Sequence, residues 1–292
     1  MQLVQSSAQK LEARSSSSKF YQTKHPWPPG GVLLYRYLFL VEITLAIICG
    51  VGIGAILGFV GAGGSMVAVP MLIYVFGMSP VQATTASLII VFSGALSGVI
   101  SKLKSRDVLI RESLTIWALG LATNFGGAYV LPKIPDSIVL TGFSLVLIAA
   151  GASMLLKAPS AETEKKMSLP ALIALSLLVG ALTGLFGIGG GFIAIPILVL
   201  FYNVSPAKAA GTSLFIITIN TFTGFFAHFR HWDEISWQIP IVIAISAVII
   251  SRLAASRSSN LKPETLKRAF AYTVFSIAAF TLLETWVLNL IA

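Results

Sequence analysis

Two successive sets of five apolar segments govern what this chain can fold into: residues 38–58, 64–77, 83–101, 113–131 and 137–156, then 169–186, 190–203, 209–229, 238–254 and 268–290. Each is a continuous block rich in Leu, Ile, Ala and Gly, without the polar alternation of a barrel strand. Each therefore reads as a helix in lipid, where the backbone has to satisfy its own hydrogen bonds. Composition agrees, since the 292 residues are 56% hydrophobic and 11% charged with a mean hydropathy of +0.88, which no water-soluble domain of this length tolerates. The expected fold is all-α and polytopic, with eight to ten membrane segments. The expected place is the bilayer of the cell (inner) membrane.

The polar parts narrow the function. Residues 1–37 form a serine-rich basic tail, expected to be disordered and without the apolar core and cleavage site of a secretory signal; a transit peptide stays open. The net charge of +9 is spread over this tail and several short loops, which suits topology control better than nucleic acid. The lone Cys49 sits in an apolar block and rules out an internal disulfide or a thiolate metal cluster. Of the acidic residues only Glu42 and Glu284 fall within expected spans, so the core has no carboxylate cluster to hold a metal. No motif for a catalytic nucleophile, a metalloprotease or intramembrane proteolysis is present, and neither an enzyme nor a cofactor is expected.

The chain is a duplication. Residues 58–98 align without a gap on residues 184–224, an offset of 126: GFVGAGGSMVAVPMLIYVFGMSPVQATTASLIIVFSGALSG lies over GLFGIGGGFIAIPILVLFYNVSPAKAAGTSLFIITINTFTG. The register matches Gly58 with Gly184, Gly61 with Gly187, Gly63 with Gly189, Gly64 with Gly190, Pro70 with Pro196, and Ser79-Pro80 with Ser205-Pro206. Shared apolar composition does not produce such a register of Gly, Pro and Ser. The expected domains are a first membrane repeat at 38–156, a polar linker at 157–168 and a second repeat at 169–292.

Each repeat is interrupted at its glycines. As one helix, residues 169–203 would extend roughly 50 Å against about 30 Å of hydrocarbon, so the segment either turns back as a hairpin or is a broken, tilted span. With hairpins, the loops at Lys102 to Arg111, Lys157 to Lys166, Lys208 and Arg252 to Arg268 share one side and gather most of the basic residues, which favours the hairpin and a cytoplasmic place for those loops. Five segments per half is an odd number, so hairpins would make the halves inverted repeats.

The glycine breaks are also the candidate site. Gly61, Gly63, Gly64 and Ser65 in one half and Gly187, Gly189, Gly190 and Gly191 in the other free the backbone, and the helix that restarts beside each offers amide N–H groups and a positive dipole end. Such an end suits an anion, though close packing through small residues explains a single run equally well. Ser79 and Ser205 fit helix N-caps and Pro80 and Pro206 first helical positions. Beyond them Thr84, Thr85, Ser87, Thr212 and Ser213 put hydroxyls on the first turns, able to bond back to the preceding turn or to donate to an oxyanion. Asn220 and Asn124 are mid-segment amides of the same kind. Lys208 and Arg230 stand at segment ends, where they attract an anion or simply reach the interface. His228 and His231 flank the end of one span, and Trp117, Trp232, Trp237, Trp286, Tyr35 and Tyr37 read as interfacial anchors.

The paired motifs, GFVGAGGSMVAVP with SPVQATTASL and GLFGIGGGFIAIP with SPAKAAGTSLF, resemble the sulfite exporter TauE/SafE family of permeases over nearly the whole chain beyond the tail. The resemblance implies a carrier of small inorganic or organosulfur anions such as sulfite, sulfonates, thiosulfate or sulfoacetate, driven by a coupling proton or ion. Ser65 departs from its counterpart Gly191, which bears on whether both turns meet the ligand alike. Other readings are a membrane-embedded enzyme or assembly factor, which would need convergent catalytic groups or a soluble module, and a cation-coupled exchanger, which would need buried carboxylates.

Overall fold

The computed structural model describes residues 29–60, 64–155, 168–257 and 263–288. Most of the expected tail and linker, together with Gly61 and Gly63, lie outside the described residues. Among them run ten α-helices: α1 (Pro29–Val60), α2 (Gly64–Tyr74), α3 (Pro80–Lys104), α4 (Ile110–Val130), α5 (Asp136–Leu155), α6 (Leu169–Phe186), α7 (Gly191–Tyr202), α8 (Pro206–Ala227), α9 (Gln238–Arg257) and α10 (Pro263–Leu283). They match the ten apolar segments one for one. Helix α1 begins at Pro29, so residues 29–37, expected in the tail, are helical. Residues 43–292 form one compact unit, and the contacts described below lie within it.

Seven helices, α1, α3, α4, α5, α6, α8 and α9, are long and apolar enough to cross a membrane. Helix α2, with 11 residues, is only about 17 Å long and cannot. Its direction follows from its neighbours. Methyl groups built on Gly54 and Gly58 would meet the Ala247 carbonyl oxygen and the Ala254 Cβ, each at 2.6 Å, and one on Gly50 would meet the Ile243 carbonyl oxygen at 2.6 Å. Helices α1 and α9 thus run side by side in the same sense. Helix α3 runs with α9 as well, because Gln82 Nε2 donates to the Glu234 carbonyl oxygen at its start (2.9 Å) and Ser97 Oγ to the Val248 carbonyl oxygen further along (3.1 Å). With α1 and α3 parallel, α2 has to run back between them.

The turn itself is tight. A methyl on Gly64 would run into the Ile53 carbonyl oxygen and lie 2.5 Å from Leu57 Cγ, and one on Gly190 would lie 2.5 Å from the Val179 carbonyl oxygen. Residues 64 and 190 are each eleven positions beyond Ile53 and Val179, a separation of about 16 Å in a continuous helix. Both glycine breaks are reversals rather than bends in one long span.

The duplication visible in the sequence recurs in the contacts. Helix α6 packs on α4 as α1 packs on α9: a methyl on Gly180 would approach the Gly120 carbonyl carbon to 2.8 Å, and one on Gly184 the Ala128 nitrogen to 3.0 Å. Lipid tails are as apolar as leucine, so such helices associate through close backbone approach, and glycine permits it. Asn124 Nδ2 donates to the Asn220 carbonyl oxygen (3.1 Å) and Ser251 Oγ to that of Gly94 (3.1 Å), and Gly94 is the counterpart of Asn220. The loops after α2 and α7 share one design. Gly77 (φ 68°) and Asn203 (φ 56°) take the left-handed conformation, while Met78 N–H bonds Leu72 O (3.1 Å) and Val204 N–H bonds Leu198 O (3.0 Å). This is a Schellman end, for which glycine is best suited and asparagine next.

Helices α3 and α8, equivalent by the repeat, cross at the centre. A methyl on Gly98 would meet Leu214 Cδ1 at 3.4 Å and one on Gly224 would meet Leu88 Cδ2 at 3.1 Å, a reciprocal pairing in which residue number rises along α3 as it falls along α8. The two equivalent helices are antiparallel.

The glycine contacts make a direct stability test. Gly54→Leu and Gly184→Leu should each destabilise the purified protein by about 1–3 kcal/mol, the usual effect of overpacking, because backbone and not a movable side chain is in the way. Gly126→Leu, with nothing within 4 Å of its Cβ position, should leave the thermal unfolding midpoint in detergent unchanged. Equal midpoints for all three would contradict the close-contact account.

Candidate substrate site

The described glycine turn is built from three left-handed residues. Helix α6 ends at Gly187 (φ 67°), whose N–H bonds Thr183 O at 2.9 Å, and Gly189 (φ 70°) and Gly190 (φ 61°) carry the chain round to the start of α7. Left-handed backbone costs other L-residues roughly 1–2 kcal/mol each, which accounts for glycine at these three positions. Residues Gly187 to Gly191 are all buried. Backbone that leaves its helix at membrane depth survives only where protein or a water-lined cavity encloses it.

Helices from both repeats provide that enclosure. From α3, Ser87 Oγ lies 2.7 Å from Thr84 O and 3.2 Å from Gly187 O, and a methyl on Gly187 would run into Ser87 Oγ and Thr84 O. From α8, Ser213 Oγ donates to Gly191 O (2.7 Å), and methyls on Gly189 and Gly191 would meet Ile217 at 2.9 and 2.5 Å. The structure therefore brings Gly187, Gly189, Gly190, Gly191, Thr84, Ser87 and Ser213 together. Gly64 and Ser65 are buried at the start of α2.

Other expected site residues go elsewhere. Thr212 Oγ1 donates to Lys208 O (2.7 Å) and accepts the Leu109 N–H (3.0 Å), so it fixes the start of α4 and not the turn. Lys208 and Arg230 stand at opposite ends of α8, with Arg230 exposed over the Phe229 ring at 5.7 Å. Ser79 forms a full capping box with Gln82, and Pro80 is the first residue of α3. Pro206 opens α8 in the same way, but Ser205 makes no side-chain cap bond. Lys208 stands where Gln82 does in the first repeat and cannot accept the cap N–H, so the reciprocal box is not available.

Two buried amides sit in the same core. Asn220 Nδ2 donates to Ile216 O (3.0 Å) and Asn124 Nδ2 to Asn220 O (3.1 Å), which fixes both amide orientations and leaves each Oδ1 buried without a hydrogen-bond partner among the described residues. Asn124 Oδ1 would lie 3.2 Å from a methyl on Gly224, in a pocket of contacts that includes Thr183 and Leu88. Buried acceptors of this kind are uncommon enough to mark a place where a donor is wanted.

His228 is the residue the sequence left at the margin. One position beyond α8 it is 1% exposed, with Nδ1 3.0 Å from Thr85 Oγ1 and Nε2 2.9 Å from the Gly184 carbonyl oxygen. Burial pushes its imidazole below the usual histidine range, against the opposing effect of the Gly184 bond. A spacing rule would not have found it, since its partners are 143 and 44 residues away. A separate groove of about 460 Å³, lined by Ile89, Phe225, Trp237, Ile241 and Val248, is largely apolar, and its one hydroxyl, Ser93, donates to Ile89 O (2.8 Å). Among the described residues no three His, Cys, Asp or Glu side chains come together in a way that would hold a metal.

Comparison with known proteins fits this architecture. The family model described as sulfite exporter TauE/SafE matches residues 46–281. The chain is 29% identical over 244 residues to a probable membrane transporter protein of Xylella fastidiosa, covering 80% of this chain and 92% of that protein. It is 24% identical to the probable membrane transporter protein MJ0441 of Methanocaldococcus jannaschii, covering 86% of this chain and 100% of the relative. Against the probable membrane transporter protein YunE of Bacillus subtilis it is 24% identical over 77% of this chain and 92% of the other. No solved structure matches the chain. A duplicated all-α membrane protein whose matched region spans both glycine breaks, the chain belongs to the sulfite exporter TauE/SafE family.

Proposed function

We propose that this membrane transporter is a secondary carrier of small sulfur-containing anions, sulfite, thiosulfate, sulfonates or sulfoacetate among them, working by alternating access around its glycine turns. The observation that carries the reading is the buried turn at Gly187 to Gly191, gripped by α3 from one repeat and α8 from the other. A rocking motion of one repeat against the other would change those grips first.

The repeats are inverted relative to one another. What supports this is the antiparallel, reciprocal crossing of the equivalent helices α3 and α8, together with the reversal at each glycine break. Inverted halves around a site of broken helices are the usual frame for alternating access.

The ligand is anionic for three reasons. The spans are almost free of carboxylates, so a cation would have no fixed counter-charge. Helix α7 starts at the turn and aims its positive end there. The hydroxyls of Ser87 and Ser213 each bond a carbonyl of the turn in this conformation, and a single rotation redirects either proton to an oxyanion. A hydrogen-bearing anion could also satisfy the acceptor Oδ1 of Asn124 or Asn220.

Flux into proteoliposomes tests the reading. With sulfite or thiosulfate as substrate, Ser87→Ala, Ser213→Ala and Gly189→Val should each lower initial flux about ten-fold or more, roughly one lost charge-assisted hydrogen bond at the serines. Unchanged flux in all three variants would sink the site. A thermal-shift series with sulfite, thiosulfate, sulfate, sulfonates and simple cations tests the ligand class, and stabilisation by cations alone would overturn the anion assignment.

A further inference from the structure

The bridge at His228 breaks the symmetry of the duplication. At the offset of 126 its counterpart is Lys102, and the counterpart of Thr85 is Gly211. The equivalent contact exists, since a methyl on Gly211 would lie 3.2 Å from Lys102 Cβ, but it carries no imidazole-hydroxyl bond. Helix packing at this crossing therefore has no need of a histidine.

The hydrogen bonds around His228 accommodate two protonation states with the same heavy-atom positions. Gly184 O only accepts, so Nε2 carries a proton in both. Thr85 has a single hydroxyl proton and two acceptors in reach, Val81 O at 2.8 Å and His228 Nδ1 at 3.0 Å. In the neutral imidazole, Nδ1 accepts that proton. In the imidazolium, Nδ1–H donates to Thr85 Oγ1 and the hydroxyl turns to Val81 O. Uptake of a proton requires only that one hydroxyl rotate.

Among the described residues, the hydrogen-bond partners of His228 include no acid to balance the charged form. Helix α3 presents Thr85 and the Val81 carbonyl, and α6 presents the Gly184 carbonyl. The turn after α8 presents His231, a second imidazole whose field opposes a charge on His228, and His231 is itself bonded to Glu234 at 2.9 Å. Arg230 lies beyond, in the field of Tyr129, over whose ring Lys133 sits at 3.6 Å. Of the two acids in this turn, Glu234 is engaged by His231 and Asp233 is exposed, while Arg230 and Lys133 are basic. The missing negative charge has an obvious source at the adjacent turn: Ser87, two residues from Thr85, bonds Gly187 O, and Gly184 is three residues from Gly187. An anion there and a proton on His228 would be held by the same pieces of α3 and α6.

We infer that His228 is a proton-binding site that couples anion movement to a proton moving in the same direction, a conclusion resting on the anion-carrier reading above. Each ligand raises the affinity for the other by the same factor, as linkage requires. With no anion at the turn and no carboxylate bonded to the ring, burial keeps the imidazole neutral, so a proton does not cross alone.

The test uses the full chain in proteoliposomes, with labelled sulfite or thiosulfate and an entrapped pH dye. The unsubstituted protein should accumulate anion several-fold above equilibrium when the outside is acid, with dye acidification in step. In His228→Gln the amide still donates to Gly184 O but takes no proton. With anion saturating on both sides it should exchange anion for anion within about two-fold of the unsubstituted protein, while gradient-driven accumulation falls to the level seen without a gradient. Gradient-driven accumulation in His228→Gln equal to that of the unsubstituted protein would overturn the proposal. If His228→Gln does not fold, Thr85→Val serves instead, removing the hydroxyl partner of Nδ1, and an unshifted pH profile of accumulation between about pH 5 and 8 would count equally against it. If the unsubstituted protein exchanges no sulfur anion, the carrier reading fails. If it exchanges anions but ignores the pH gradient, only the coupling role of His228 fails.

Discussion

A polypeptide that leaves its helix inside lipid exposes amides and carbonyls that nothing in the hydrocarbon can bond, and the structure is arranged around that difficulty. The turn at Gly187 to Gly191 is tolerated because α3 and α8 close over it and hydroxyls from each, Ser87 and Ser213, bond its carbonyl oxygens. Around them the pairs α1 with α9 and α4 with α6 pack backbone against backbone through Gly54, Gly58, Gly180 and Gly184. The small residues in the spans thus let the helices around an irregular segment pack closely. An enclosed, irregular segment with a helix start beside it is in turn what a membrane carrier needs at its site.

Much of this was legible in the sequence, for identifiable reasons. Apolar blocks in lipid have little choice but to be helices, so a helix appeared at each of the ten, though α1 and α10 differ from their expected bounds by several residues. The Gly, Pro and Ser register revealed the repeat, while excess length around the glycines allowed a hairpin or a broken span and only the distribution of basic residues favoured the reversal. Boundaries set by composition were less well determined: α1 reaches back to Pro29 through residues that look like tail. The capping box at Ser79 follows from Ser-x-x-Gln, and its weakness at Ser205 follows from Lys208 in the matching place.

Partners across the fold were not legible. Thr212 reads like its neighbours in a hydroxyl-rich first turn, yet its side chain accepts the Leu109 N–H and leaves the turn to Ser213. His228 reads as an interfacial residue beside a charged loop, and only the crossing of α8 with α3 and α6 buries it. Periodicity reports which face of a helix is apolar. It says nothing about which polar atom from a distant segment will meet that face. The duplication also conceals such differences, because two halves with one scaffold invite the assumption of one chemistry, whereas Thr85 and His228 have Gly211 and Lys102 as counterparts.

The account stands or falls on whether the two halves face opposite ways. Cys49 is the chain's single cysteine, so a Cys49→Ala background can carry one new cysteine at a time. Ser105→Cys, in the exposed loop after α3, and Asp233→Cys, exposed in the turn after the equivalent helix α8, are the informative pair. Labelling oriented vesicles with a membrane-impermeant maleimide should modify one of them only from outside and the other only after the vesicles are opened. Labelling of both from the same side would contradict the inverted arrangement, and with it alternating access around the glycine turns.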